Sequence, residues 1–393
     1  MKTLIELYDE RPLENVLSTE VFRPERTVFI CPKEIADDKR LKKKLREYMQ
    51  HRGVDVELVF TRAGMFSAGD ILDRLQEVVD RYEDCAIDVS GGTDDALFAA
   101  GALSAKVDIP VFTYSRKKNA FFNIKNAEFA EGLVCSVDYS VEDCLLMAGG
   151  ALRPGRVDNS ILDSYMGKID PFFNIYMKNR RDWIRTVEYI QQISHADKEQ
   201  VKIPLSVKGT YYQKAVRGAP IPAPEKVLRD FESIGFIRDF KADAEKGVSF
   251  TFADSCVRSW MRDVGAVLEL YVYKKCVESG IYTDVVTSAV VDWEGDNGAD
   301  AVTNEIDVMA TYGVNPVFIS CKTCEVKTEA LNELAILRDR FGSSMSTAAI
   351  VTAKTGNSAM RRRAQELNID VIDVNDITSG RIREQIKKPA AQE

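Results

Sequence analysis

The chain has 393 residues, 45% hydrophobic and 29% charged, with 61 acidic against 53 basic side chains and a formal net charge of −8. That length favours two units and a connector over one core. The acidic balance argues against a broadly basic protein that coats nucleic acid, though not against a locally basic cleft. With only His51 and His195, a histidine-based nuclease or a Ser-His-Asp hydrolase has almost nothing to be built from. No apolar run approaches the length of a membrane span. The opening MKTLIELYDERPLENVL has charges where a signal peptide needs an apolar block, so the expectation is a cytoplasmic protein without membrane contact. Eight cysteines are scattered through the chain, and the lone CxxC, Cys321 to Cys324, lacks a second ligand pair. Buried thiols in a reducing compartment are expected there, not zinc.

The first third predicts strands at Thr3–Tyr8, Thr27–Cys31, Val54–Thr61, Cys85–Val89 and Pro110–Tyr114, with amphipathic helices such as Lys39–His51 and Ala68–Tyr82 between them. Strand–helix alternation points to an open, mostly parallel sheet, which binds ligands at the carboxyl ends of its strands. At one such end stands Ser90-Gly91-Gly92-Thr93-Asp94, leading into a helix Asp95–Lys106. Two glycines let backbone approach a ligand, and the helix start offers unpaired N–H groups to anionic or polar atoms. The same turn would also serve tight strand-to-helix packing. It is neither GxGxxG nor a Walker A loop, so a dinucleotide cofactor has little support.

The middle, residues 151–258, reads as a helix Asp182–Ser194, a stiff break at Pro220–Pro224, a helix Lys226–Gly235 and strands Phe236–Phe240 and Val248–Phe252. That outline is winged-helix-like, and a structural connector is the plainer reading. The tail KKPAAQE is expected to fray.

The last third, from residue 259, predicts a helix Ser259–Gly280 with Val264, Val267, Leu268, Tyr271 and Val272 on one face and Glu269 close to it. A strand Asp284–Trp293 follows, then a hairpin, NEIDVMATYGVNPVFISCKT, turning at Gly-Val-Asn-Pro. Ile306 and Val308 alternate with Glu305 and Asp307, which predicts both carboxylates on one face. The hairpin would bring Lys322 beside Asp307. An acid and a lysine on adjacent strand ends can hold a divalent metal next to a phosphodiester; ordinary charges on a half-exposed hairpin are the alternative. A helix Thr328–Phe341, a strand Thr347–Lys354, a helix Asn357–Leu367 and a strand Ile369–Val374 complete the unit. Lys274, Lys275, Lys354 and Arg361, Arg362 and Arg363 are candidates for a locally basic cleft.

The order α-β-β-β-α-β-α-β, with Asp307 on the second strand and Lys322 closing the third, resembles the restriction-endonuclease-like PD-(D/E)xK core. The resemblance implies a metal-dependent nuclease in which Asp307 and Lys322 are catalytic and Glu269 matches the acid of the first core helix. Ser320 stands where that family usually has a carboxylate. Some branches move it to the following helix, where Glu333 is well placed and Glu329 is the fallback. The implied metal ligands for Mg²⁺ or Mn²⁺ are Asp307, Glu333 and Glu269, with Glu305 assisting from its strand.

IDVSGGTDDALFAAG resembles the Gly-Gly-Thr segment of CARF domains, the Rossmann-like sensors of cyclic oligoadenylate in type III CRISPR systems. LYDERPLENVL resembles the first ligand-side loop of CRISPR ancillary nucleases that fuse this sensor to a PD-(D/E)xK-like domain. The whole chain then reads as a CARF-like unit at 1–150, a connector at 151–258 and a nuclease unit at 259–393. The resemblance implies a homodimer activated by cyclic oligoadenylate, cyclic tetra-adenylate in particular, that cleaves DNA, RNA or both. Ligand contacts would come from Asp9, Pro12 and Asn15 of the loop, Ser90, Gly91, Gly92, Thr93 and Asp94 of the turn, and Lys33, Thr61, Arg62 and Arg116 on neighbouring strand ends. Asp94 departs from the lysine common after Gly-Gly-Thr, so either Asp94 faces ribose and base atoms or Lys33, Arg62 and Arg116 on those strand ends supply the positive charge. A ligand-gated DNA-binding transcription regulator, or a stand-alone restriction or repair nuclease, remain the alternatives.

Overall fold

In the computed structural model the described residues are 1–64, 66–153, 159–195, 204–215, 218–295, 298, 301–342 and 346–391. The N-terminal unit is a six-stranded sheet of β1 (Thr3–Leu7), β2 (Arg26–Cys31), β3 (Glu57–Arg62), β4 (Cys85–Asp88), β5 (Val111–Ser115) and β6 (Ala120–Lys125), in the order 3-2-1-4-5-6. The first five are parallel and β6 is antiparallel. Its helices are α1 (Leu17–Phe22), α2 (Lys33–Asp37), α3 (Lys39–His51), α4 (Ala68–Arg81), α5 (Asp94–Ser104) and α6 (Val141–Met147). Every residue of β1 is buried, as in a parallel sheet covered on both faces. Asp38 fixes the start of α3 by accepting from the Arg40 and Leu41 amides at 2.8 and 3.0 Å, and the Ser67 hydroxyl caps α4. The sequence had no strand signal for β6.

The short β7 (Ala151–Leu152) lies in the segment assigned to the connector, yet it pairs with the C-terminal sheet. The connector contains α7 (Asn159–Asn179), α8 (Trp183–Ile193), β8 (Ser206–Gly209), a small pair β9 (Tyr212–Gln213) and β10 (Ile221–Pro222), α9 (Glu225–Ser233), β11 (Ile237–Asp243), β12 (Gly247–Phe252) and α10 (Ser255–Met261). β8, β11 and β12 make an antiparallel sheet with β12 central. Phe172, Trp183, Phe231 and Phe236 form its aromatic core.

The C-terminal unit runs α11 (Ala266–Ser279), β13 (Asp284–Asp292), β14 (Thr303–Tyr312), β15 (Asn315–Lys322), α12 (Thr328–Phe341), β16 (Thr347–Thr352), α13 (Ser358–Glu366), β17 (Ile369–Ile372), α14 (Val374–Thr378) and α15 (Ile382–Gln385). Its sheet order is 17-16-15-14-13-7, parallel from β15 to β17 and antiparallel elsewhere. The single helix expected over Ser259–Gly280 is broken. Asp263 Oδ1 accepts from the Gly265 and Ala266 amides at 2.6 and 3.1 Å, which ends α10 and starts α11, so Glu269 sits in the first turn of a new helix. Part of the tail is also better anchored than expected: Pro389 is buried, while residues 392 and 393 lie outside the described set.

The C-terminal sheet is sandwiched. One face, with Val308, Ala310, Val317 and Ile319, packs into a core shared with α11 and the connector. The other, with Ile306, Met309 and Phe318, joins Leu331, Leu334 and Phe341 of α12 and reaches Leu4, Phe112 and Phe121 of the N-terminal sheet in one continuous cluster. The two α/β units are therefore bound by apolar packing. Phe318 is fully buried in that shared cluster. Phe318→Ala should destabilise the chain by about 3–5 kcal/mol and lower the unfolding of both units together. Differential scanning calorimetry checks this, and an unchanged N-terminal transition would contradict it.

Candidate functional site

The antiparallel ladder between β14 and β15 runs from Tyr312↔Asn315 to Val308↔Ile319 and stops there. Past that point the Asp307 carboxylate fills the gap. Its Oδ2 accepts from the Cys321 amide at 2.6 Å, the Ser320 hydroxyl at 3.0 Å and Lys322 Nζ at 3.2 Å. The hairpin thus brings Lys322 to Asp307. Burial disfavours the Lys322 ammonium, but the carboxylate beside it outweighs that and raises its pKa. Ser320 is occupied as a donor to Asp307.

On β13, Ser288 has a left-handed backbone (φ 51°) and breaks the pairing opposite Asp307. Across this irregularity the alternation of β14 fails. Ile306 packs with α12, whereas Val308 and Ala310 pack with α11. Glu305 is exposed and Asp307 is half-buried between the strands, and both line one cleft with Lys322. Glu269 approaches from α11, with the Ser288 hydroxyl 3.4 Å from its Oε2. Burial, then the charges of Asp307, Asp263 and Glu305, push Glu269 up to about 8. Glu333 lines the same cleft as Glu305, Asp307 and Lys322, and its Oε1 accepts from Asn304 Nδ2 at 3.1 Å. Glu329, the fallback acid, lies one turn earlier on α12.

Carboxylate oxygens are the donors that Mg²⁺ or Mn²⁺ prefers. Burial first, and then the neighbouring carboxylates, disfavour charge on Glu269; a divalent cation here would offset both, so the donor chemistry fits. The carboxylates are not drawn together, however: among the described residues no three His, Cys, Asp or Glu side chains are grouped to hold a metal ion. The proposed basic cleft is only partly available. Lys274 and Lys275 are buried and paired with Asp170 and Glu278, Arg361 pairs with Asp373, and Arg363 bonds Glu366 and Asn332.

In the N-terminal unit, Asp9, Lys33, Arg62, the Ser90–Asp94 turn and Arg116 all lie at the carboxyl ends of parallel strands. Several of them have internal work. Asp9 accepts from the Gly92 amide at 2.9 Å and from the Arg11 guanidinium at 2.8 and 2.7 Å. Burial opposes its ionisation, but these bonds hold it below the ordinary value. Asn15 is buried and bonds both main-chain polar groups of Asp9, at 2.9 and 2.7 Å. The Ser90 hydroxyl donates to buried Asp88 and accepts from the Tyr114 amide. Thr93 caps α5. The glycines are required by the protein itself. A Cβ on Gly91 would lie 2.8 Å from Glu14 Cβ, and one on Gly92, at φ 99°, 2.6 Å from Leu7 Cβ. Lys33, Thr93 and Asp94 are exposed, Pro12 and Thr61 are half-buried, Arg62 pairs with Asp37, and Arg116 pairs with buried Glu14. Burial and the nearby Arg11 push Arg116 down to about 10. Sequence reasoning missed Arg11, Ser288 and Asn304. The Arg11 position could have been caught from its place in the loop, whereas a left-handed serine inside a strand leaves no composition signal.

Residues 260–392 match the Card1-like endonuclease domain. Two solved structures share the fold over nearly the full chain. One is protein VC1899 from Vibrio cholerae, with a TM-score of 0.77 at 17% identity over 99% of each chain. The other is Can2 from Sulfobacillus thermosulfidooxidans, solved in complex with cyclic tetra-adenylate, with a TM-score of 0.72 at 16% identity over 100% of this chain and 98% of that one. Among curated protein sequences none matches significantly. The chain therefore shares the overall fold of these two structures, with its last third similar to a Card1-like endonuclease domain, and no described helix is long and apolar enough to cross a membrane.

Glu269 gives a test of the site's electrostatics. The folded chain keeps this proton to about pH 8, against an ordinary value of 4.5. Between those values the unfolded chain is ionised and the folded one is not, so stability falls as pH rises. In chelator, Glu269→Gln should be more stable than wild type by about 2–3 kcal/mol at pH 7, with the gain vanishing below pH 4.5. Urea unfolding at several pH values checks this, and a pH-independent difference would contradict it.

Proposed function

We propose that this chain is a cyclic tetra-adenylate-activated, metal-dependent endonuclease of CRISPR antiviral defence, cutting DNA, RNA or both as a homodimer. The observation that carries the reading is the Asp307–Lys322 pair, 3.2 Å apart where β14 and β15 separate, inside the segment that matches an endonuclease domain. The activator follows from the full-length likeness of fold to Can2, which was solved with that ligand.

Two copies of the N-terminal unit would pair about a two-fold axis, with a symmetric cyclic ligand bound on it. The exposed Lys33, Arg62 and half-buried Arg116 supply positive charge along the strand ends. The amino end of α5, capped by Thr93, presents N–H groups, with Asp94 toward ribose or base atoms. Asp9, Asn15 and Ser90 hold this rim in shape from beneath. The ligand acts only by binding the active arrangement more tightly than the idle one.

In the nuclease unit Asp307, Glu333 and Glu269 would supply the negative charge to hold Mg²⁺ or Mn²⁺, with Glu305 nearby. When bound, the cation polarises the scissile phosphate and lowers the pKa of an attacking water. Lys322, kept charged and oriented by Asp307, stabilises the charge that develops on the phosphate.

Asp307→Ala and Lys322→Ala should each lower cleavage by about 10²–10³-fold while calorimetric binding of cyclic tetra-adenylate stays at the wild-type value. Near-wild-type cleavage by purified Lys322→Ala contradicts the catalytic assignment. The cleavage assay is run on DNA and RNA, with and without activator and metal. Full activity without activator would favour a stand-alone nuclease, and sequence-specific duplex binding without cleavage would favour a regulator. Glu333→Gln should raise the Mn²⁺ concentration needed for half-maximal cleavage; an unchanged metal titration moves that role to Glu329.

A further inference from the structure

Asn304, at the open end of β14, uses both ends of its side-chain amide. Its Oδ1 accepts from Trp293 Nε1 at 2.8 Å, and its Nδ2 donates to Glu333 Oε1 at 3.1 Å. An indole N–H only donates, so the amide oxygen must face Trp293 and the NH₂ must face Glu333. Trp293 thus fixes the orientation in which Asn304 offers a donor to the carboxylate. Glu333 lines the cleft of Asp307, yet no metal-binding group of three acidic, His or Cys side chains forms among the described residues.

Trp293 is itself tied to the N-terminal unit. Its carbonyl accepts from Arg340 Nη2 at 3.0 Å, while Arg340 Nη1 donates to the Ala148 carbonyl at 2.7 Å. Its ring meets Phe341 edge-on at 5.5 Å. The next residue, Glu294, is gripped by α3. Lys44 Nζ donates to the Glu294 carbonyl at 2.7 Å and to the Gly149 carbonyl at 2.6 Å, and Arg40 pairs with the Glu294 carboxylate at 3.0 Å. The joint is tightly packed: a Cβ on Gly150 would lie 2.6 Å from the Phe341 ring and 2.9 Å from the Asp292 carbonyl. Charge-assisted bonds to carbonyls make this a stiff connection. Helix α3 follows α2, which begins at Lys33 on the ligand-side rim.

We propose that Asn304 is a positioning residue that clamps Glu333 out of the metal site in this arrangement, and that Trp293 couples the clamp to movement of α3. The inference rests on the reading of Glu333 as a metal-holding carboxylate and adds its regulation. A shift of α3 that pulls on residues 293 and 294 turns the Asn304 amide and frees Glu333 to join Asp307 and Glu269.

The test is Mn²⁺ binding to the full-length chain without activator, by calorimetry, with cleavage measured in parallel. Asn304→Ala should bind Mn²⁺ about five-fold more tightly, the equivalent of one lost hydrogen bond, and should cleave without activator above the wild-type background. Trp293→Phe keeps the ring packing but removes the N–H, so it should shift Mn²⁺ affinity in the same direction. Asn304→Ala combined with Glu333→Gln should lose the gain. Folded Asn304→Ala and Trp293→Phe proteins that bind Mn²⁺ no more tightly than wild type overturn the clamp. If Glu333→Gln alone changes neither Mn²⁺ binding nor activated cleavage, the metal role of Glu333 fails and the clamp falls with it; if Glu333→Gln is impaired and Asn304→Ala is inert, only the clamp fails.

Discussion

The site depends on one substitution of partners. Where β14 and β15 part, the amide of Cys321 has no strand carbonyl to bond, and the Asp307 carboxylate takes it at 2.6 Å. A buried amide left unpaired would be costly, so the Asp307 carboxylate closes the sheet here. The same oxygen accepts from Ser320 and Lys322. This separation opens the cleft, aims the lysine and leaves room for Glu269 from one face and Glu333 from the other. The left-handed Ser288 opposite Asp307 belongs to the same arrangement, a local departure from regular pairing of the kind that gathers at functional sites.

The second theme is continuity. An apolar cluster runs without interruption from Leu4 and Phe112 to Phe318 and Phe341, and it is bordered by polar joints. Glu20 accepts from Tyr48 and Tyr139 at 2.7 Å each and from Arg52 at 2.8 Å, and Arg52 continues to Asp143 at 2.9 Å. Beside this network the Tyr139 amide donates to the Gly313 carbonyl in the turn between β14 and β15. Satisfied buried polar groups of this kind specify one docking geometry. An N-terminal unit packed so closely on the hairpin and on α12 has short physical routes to the cleft of Asp307.

The rim of the N-terminal unit shows that residues which match a ligand-binding motif divide into two kinds. Asp9, Asn15, Ser90, Gly91 and Gly92 are consumed in building the turn, and the steric limits at the two glycines come from Leu7, Asp9 and Glu14. Lys33, Thr93 and Asp94 face outward. Substitutions at the first kind change the scaffold, and those at the second change only the exposed rim.

The sequence by itself determined most of the strands and the longer helices of both α/β units, since β1 is a buried aliphatic run and the hairpin of β14 and β15 turns at a Gly-Val-Asn-Pro signal. It also determined that Asp307 and Lys322 would meet, because hairpin pairing is a local, two-strand constraint. It did not determine the break at Asp263, the antiparallel β6, or the pairing of Ala151–Leu152 with β13, each of which depends on contacts distant in the chain. The fate of the charged residues was decided only by tertiary structure. Lys274 and Lys275 look like free cations on a helix and are buried against Asp170, while Glu269 looks like an ordinary helical acid and is driven toward its neutral form by burial and then by carboxylates on other elements. Periodicity reports which face a residue takes, but charge, burial and partner are properties of what packs against that face, and that is set by the whole fold.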